Sequence, residues 1–216
     1  MNHVLSNKKF AIILLPLMLA ACSHEGDFDE TGGIKVVRSA CPAVALPAHT
    51  GDVTLFNPET SHDAAAIDVV ATITNLRNTC TPNGDQINAN ATFDVLGQRS
   101  NTAGARTVTL PYYAVVTRAG TESKSKQIGQ VTLSFADGQS RAQTSGTAAA
   151  SIATSEATLS PKVEAQINRK RKAGDLDAAV DPMANPVVRE AVQQASFELL
   201  VGFQLTDAQL VYNATR

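Results

Sequence analysis

Apolar and polar residues alternate through most of the chain beyond residue 34, the period of a strand with one buried face. Ile67, Val69, Ala71 and Ile73 share one face of a segment whose other face carries Asp68, Thr72 and Thr74. Ile87, Ala89, Ala91, Phe93 and Val95 repeat the pattern against Asn88, Asn90, Thr92 and Asp94. The link between the two, TCTPNGDQ with Cys80 in it, is dense in turn residues and reads as a hairpin connection. Val108, Leu110, Tyr112, Ala114 and Val116 make a third stripe. Pro111 inside it argues for a sheet edge or a bulge, because proline has no N–H for a ladder. Val131, Leu133 and Phe135 form a fourth stripe, and Val163, Ala165 and Ile167 a fifth with Lys162, Glu164, Gln166 and Asn168 on its wet side. Phe197, Leu199, Val201, Phe203 and Leu205 form a sixth. Weaker candidates lie at 34–38, 43–47, 52–56 and 143–153.

Seven to nine strands with turn-rich connections, and no alternation with long helices, predict a mainly β fold. The expected architecture is an antiparallel β-sandwich with an immunoglobulin- or fibronectin-like strand pattern. The buried tryptophan of true immunoglobulin domains cannot be present, since the chain has no Trp. Two short helices are predicted near the carboxyl end. Asn185 as N-cap and Pro186 at the first helical position precede Val188, Ala191, Val192 and Ala195, which share a face. Thr206-Asp207-Ala208-Gln209 has the form of a capping box, and Leu210 and Val211 are expected to dock the end of the chain on the body. Residues 137–160 are small and polar, a composition that fits a weak edge strand or a mobile loop equally well.

The first 21 residues have a different character: Lys8 and Lys9, then an apolar run from Phe10 to Ala21 broken only by Pro16. Twelve residues of helix reach roughly 18 Å, against a hydrocarbon core of ~30 Å, so the run is too short for a spanning helix. It ends in Leu19-Ala20-Ala21-Cys22, which resembles the bacterial lipobox. The resemblance implies a lipoprotein precursor, cut before Cys22, with lipid on that sulfur and on the new amino terminus. The alternative is ordinary cleavage after Ala21 with Cys22 a free thiol. Several acyl chains exceed the single chain at which membrane binding is reversible. Ser23 follows, where Asp would resemble an inner-membrane retention signal, so the reading favours the outer membrane. Residues 23–33 read as a polar, acidic tether, which leaves 34–216 as one β-sandwich domain. The segment FELLVGFQLTDAQLVYNATR resembles uncharacterised envelope lipoproteins of alphaproteobacteria, a likeness that implies the compartment and carries no activity or site.

Loss of the leader removes Lys8 and Lys9 from 18 Lys and Arg and none of the 20 Asp and Glu, leaving a net charge of −4. A mildly acidic body has no general electrostatic reason to bind nucleic acid. With Cys22 given to lipid, Cys41 and Cys80 remain as a pair in an oxidising compartment, and a disulfide is expected, with buried free thiols as the alternative. Their bridge would close a loop of about 40 residues, for which chain entropy predicts roughly 4 kcal/mol of stabilisation.

Catalytic chemistry is thinly supplied. Only His24, His49 and His62 survive cleavage, none beside a GxSxG or HExxH motif. Cys41 and Cys80 lack metal-ligand spacing, and Asp175, Asp177 and Asp181 lack the order of a calcium loop, so no metal and no cofactor is implied. The acidic cluster of the tether has nothing to preorganise it around a cation. The densest charge is Arg169, Lys170, Arg171 and Lys172, read as a hairpin tip that meets phosphate groups or simply keeps a strand end soluble. Of the adjacent Tyr112 and Tyr113, one should pack and one face water, and an exposed Tyr113 offers a ring for a sugar. These residues predict a lipid-anchored, periplasm-facing envelope protein without enzymatic activity, contacting a protein through loops or a strand edge. A binder of carbohydrate or lipid head groups is the second reading, and a hydrolase the third.

Overall fold

The computed structural model describes Val36 and residues 38–170, 174–177 and 180–216. Among them run eight strands: β1 (Ala43–Ala45), β2 (Asp52–Phe56), β3 (Ile67–Asn83), β4 (Gln86–Arg99), β5 (Arg106–Arg118), β6 (Glu122–Phe135), β7 (Arg141–Ala153) and β8 (Phe197–Phe203). Four helices accompany them: α1 (Thr154–Ala157), α2 (Pro161–Ile167), α3 (Pro186–Gln194) and α4 (Asp207–Thr215). The strands form two four-stranded sheets, ordered β1-β8-β5-β6 and β2-β3-β4-β7, packed face to face as a β-sandwich. Every pairing is antiparallel except β1 with β8. In β3-β4-β7 and β6-β5-β8 the order follows A-B-E and C′-C-F of the immunoglobulin pattern. It departs at the G position, which the amino-terminal β1 fills in parallel orientation, and beyond A, where β2 adds a strand.

The alternating stripes become the two inner faces. Val69, Ala71, Ile73, Ala91, Phe93 and Val95 from one sheet meet Val108, Leu110, Leu133, Phe135, Leu199 and Val201 from the other, all at most 7% exposed. Large and small side chains interlock there. A methyl group at Gly146 would collide with the Phe93 ring, one at Gly129 with Tyr112, and one at Gly97 with Leu133. Phe93 and Tyr112 themselves meet edge to face at 5.1 Å, and the Tyr112 hydroxyl donates to the Thr147 carbonyl at 2.6 Å. Residues 141–153 of this segment are thus a strand whose lack of bulk is used: Gly146 of β7 leaves room for Phe93 of β4, as Gly129 of β6 does for Tyr112 of β5.

Cys41, just before β1, is disulfide-bonded to Cys80 in β3, which ties one sheet to the other. Cys80 lies inside a strand, not in the hairpin connection, because β3 continues to Asn83 and the turn is only Gly84-Asp85, with Gly84 at φ +63°. Pro111 sits in a strand with a neighbour on each side, contrary to the edge expectation. Its register partner is Gln130 on β6, while pairing with β8 begins one residue later, at Tyr112. The Pro111 carbonyl still accepts from Gln204 N–H at 2.9 Å on the β8 side, so the missing donor falls where the ladder has just ended.

Two further expectations need correction. Val163, Ala165 and Ile167 belong to helix α2: Ser160 caps it, Pro161 starts it, and Val163 and Ile167 are buried while Ala165 is exposed. A four-residue interval satisfies both strand and helix periods, and the cap decides between them. Val163 and Ile167 pack on Val188 of α3, a small apolar cluster apart from the main core. At the carboxyl end the capping box forms as expected. Leu210 and Val211 nevertheless stay 42% and 61% exposed, and α4 docks instead through buried Asn213, whose amide donates to the His49 carbonyl at 2.9 Å and the Asp52 carbonyl at 2.8 Å. The candidate strand at 34–38 lies partly outside the described residues; its Arg38 donates to the Ala157 and Ala195 carbonyls. That contact defines a near end of the sandwich. The far end, where β4 finishes and β7 begins, lies roughly 40 Å away at 3.4 Å per residue along β7.

Because the Phe93 ring occupies the space above Gly146 on the neighbouring strand, Gly146→Val should lower unfolding stability by about 1–3 kcal/mol in urea melts, the ordinary cost of overpacking. Phe93→Leu added to it should recover part of the loss, because the two changes act on one volume.

Candidate functional site

Two concavities lie towards the far end, one at the β2 edge where both sheets and α4 contribute, the other on the outer face of the β2-β3-β4-β7 sheet. The first, of about 390 Å³, is enclosed by β2, the 57–66 segment and α4, with Phe56, His62 and Tyr212 on its walls and Asp68 and Arg106 in its floor. Asp68 is 8% exposed, and both its oxygens accept from the Arg106 guanidinium at 2.6 Å. The Asp68 hydrogen bonds raise the Arg106 pKa above its already high ordinary value, against the opposing effect of burial. Phe56 stands edge-on to both His62 and Tyr212, 5.1 Å from each ring.

The chemistry of this cleft is limited by what its polar groups already do. Asp68 is committed to Arg106 and is not a free base. Thr206 and Gln209 are spent on the cap of α4, and the Thr54 hydroxyl accepts from Arg216 at 3.4 Å. His62 shares the cleft with two acids, Glu59 and Asp68, as a hydrolase would require, but among the described residues none of the hydroxyls there, of Thr54, Thr206 and Tyr212, is hydrogen-bonded to the imidazole. Ser61 beside it donates to Asp63 at 3.1 Å.

The second concavity is broader, about 680 Å³, and lies over β3, β4 and β7 where Val70, Thr72, Leu96, Gln98, Arg141 and Gln143 face outward. The registers align these residues in rows across the sheet: Val70, Gln98 and Arg141 in one, Thr72, Leu96 and Gln143 in the next. Nearer the other end the same face is tied up in bonds between side chains. Asp94 accepts from Asn75 at 2.6 Å and from Ser145 at 2.9 Å, Arg77 donates to Asn75 at 3.0 Å, and Ser151 bonds Gln86 and Asn88, each at 3.0 Å. Among the described residues no such bond engages Thr72, Thr74, Gln98, Arg141 or Gln143.

The residues singled out from the sequence are not brought together. Cys22, Arg171 and Lys172 lie outside the described residues, as does His24. Arg169 and Lys170 follow helix α2, so they are not on a hairpin tip, and Arg169 is ion-paired with Asp177. Asp181 caps the turn at Pro182–Ala184 through Met183 N–H, and no cluster of three metal-ligating side chains occurs among the described residues. Tyr112 faces the core, as alternation requires. Tyr113 is on the outer side but half-buried, its hydroxyl donating to Thr50 at 3.1 Å and its ring covered by the Lys126 ammonium at 5.6 Å, which leaves little face for a sugar. His49 is exposed, and its backbone, not its ring, is used.

Sequence reading missed Arg99, which is 2% exposed at the far end of β4. Its guanidinium donates to the carbonyls of Thr102, Gly104, Ala136 and Gln139 at 2.8–2.9 Å and lies over the Phe135 ring. It thereby fixes the two loops that border the broad concavity. An arginine closing a strand carries no sequence signal of burial, because its partners are backbone atoms of distant loops.

Comparison of the chain with family models, curated proteins and solved structures finds no match. The geometry therefore stands by itself.

Hydrogen bonds from Asn75 and Ser145 hold the Asp94 carboxyl below its ordinary pKa, with Arg77 adding a smaller effect. A carboxyl so depressed contributes stability above the unfolded pKa of about 4, and loses it as pH falls through the folded value. The stability difference between the wild type and Asp94→Ala, from urea melts across pH, should therefore be largest near neutrality and shrink below about pH 4. A difference independent of pH would contradict the assignment.

Proposed function

We propose that this chain is a lipid-anchored, non-enzymatic protein of the bacterial cell envelope, cut before Cys22 and held on the periplasmic side of a membrane, with the outer membrane favoured. One observation carries the reading: Cys22 stands at the end of Leu19-Ala20-Ala21, directly after a charged and apolar leader. Two further features support it. The chain has three cysteines, and with Cys41 and Cys80 bonded to each other Cys22 is the one left for lipid. A disulfide is also at home in an oxidising compartment.

On this reading the folded body is a binding module whose work is contact with another envelope component. The cleft around His62 lends no support to a hydrolytic role, because none of its hydroxyls is hydrogen-bonded to the imidazole and its buried acid is paired with Arg106. Intact-mass and peptide mass spectrometry of the protein from its native membranes should find a chain that begins at Cys22 and carries a diacylglyceryl group with an added amide-linked acyl chain. A Cys22→Ser variant should keep its leader. An unmodified residue 22 in the native protein would defeat the reading.

A further inference from the structure

We propose that the far half of the outer face of the β2-β3-β4-β7 sheet binds an uncharged glycan chain, laid across β3, β4 and β7. The inference deepens the reading of the body as an envelope binding module, which gives it access to such polymers. The face is concave, and its polar groups are amides and hydroxyls. Gln98, Gln143, Thr72 and Thr74 can both donate and accept, as sugar hydroxyls do. Leu96, 46% exposed, and the half-buried Val70 lie in the same two rows and give sugar ring carbons an apolar floor between the amides. Residues of the same types nearer the other end bond one another, whereas these are unspent, so a ligand here breaks no bond between side chains.

Charge and backbone set the class of ligand. Arg141 is the one charged side chain lining this concavity, too little for a polyanion, which needs several cations. A peptide adding as a strand needs an open backbone edge; β3 and β4 are hydrogen-bonded on both sides, and a strand added at the open edge of β7 would lie beside the concavity, not across it. Side chains alone therefore do the recognition, which suits a sugar polymer. The loops pinned by Arg99 keep the border of the surface fixed, which lowers the ordering cost of binding.

Calorimetric titration of the purified full-length protein in detergent with chitohexaose and with cellohexaose tests this. At least one of them should bind with a Kd in the millimolar range or tighter. Gln98→Ala with Gln143→Ala should weaken that binding about tenfold, the effect of losing two hydrogen-bonding groups. Gln86→Ala with Asn88→Ala, on the self-bonded half of the same face, should leave it unchanged, with circular dichroism confirming the fold of both. No binding of either glycan, equal binding by the Gln98/Gln143 variant, or binding of a sulfated glycan in place of both would overturn the proposal. Glycan binding by a protein whose Cys22 proves unlipidated would remove the anchor and leave this surface standing, so the two failures are distinguishable.

Discussion

Aromatic rings lying over glycines of the neighbouring strand shape both inner faces of this sandwich. Phe93 and Tyr112 enter space that Gly146 and Gly129 leave empty, and Gly97 makes room for Leu133. Interiors pack as densely as organic crystals, so a larger side chain at Gly146 or Gly129 would displace the ring over it, and one at Gly97 would press on Leu133 of the facing sheet. The disulfide from Cys41 to Cys80 adds a covalent tie between the sheets, and its loop length is such that its loss would favour the unfolded chain by roughly 4 kcal/mol.

Polar groups are distributed unevenly over this frame. At the near end, Arg38 binds the carbonyls of Ala157 and Ala195, and Arg118 binds the Gln194 carbonyl at 2.5 Å beside Glu156. These cations hold helices to the sandwich. At the far end, Arg99 and the Asp68–Arg106 pair serve the loops and the floor of the cleft. Asp68 is too buried to stand without Arg106, since a stranded internal carboxylate costs several kcal/mol. Between them, the rows through Gln98 and Leu96 hold groups that structure does not consume. A lipid anchor at the amino end would leave that surface free to meet what the envelope contains.

Strand positions were legible wherever a bulky stripe alternated with polar residues, as in Ile87 to Val95 or Phe197 to Phe203, because burial on one face has a two-residue period. β7 was ambiguous since its inner residues, Ile152 apart, are Ala, Gly and Thr, whose role depends on rings they do not themselves carry. Helix α2 was misread because Val163 and Ile167 satisfy two periods at once, although Ser160-Pro161 held the deciding signal. The caps at Asn185 and Thr206 were read correctly, being local chemistry. The outer-face hollow was not legible at all: Gln98 and Gln143 are 45 positions apart and are brought close only through the register of β4 with β7. Tyr113 and the basic run were singled out by type, which says nothing of the Thr50 hydroxyl and Asp177 that engage them.

Hydroxyl-radical footprinting of the protein in its native envelope and after detergent purification tests most directly whether this surface is occupied in place. Leu96 and Ile128 are comparably exposed, at 46% and 55%, and lie on opposite sheets. Leu96 should be shielded in the envelope and react freely once purified, while Ile128 reacts alike in both. Equal reactivity of Leu96 in the two preparations, or shielding of Ile128 in its place, would contradict the account.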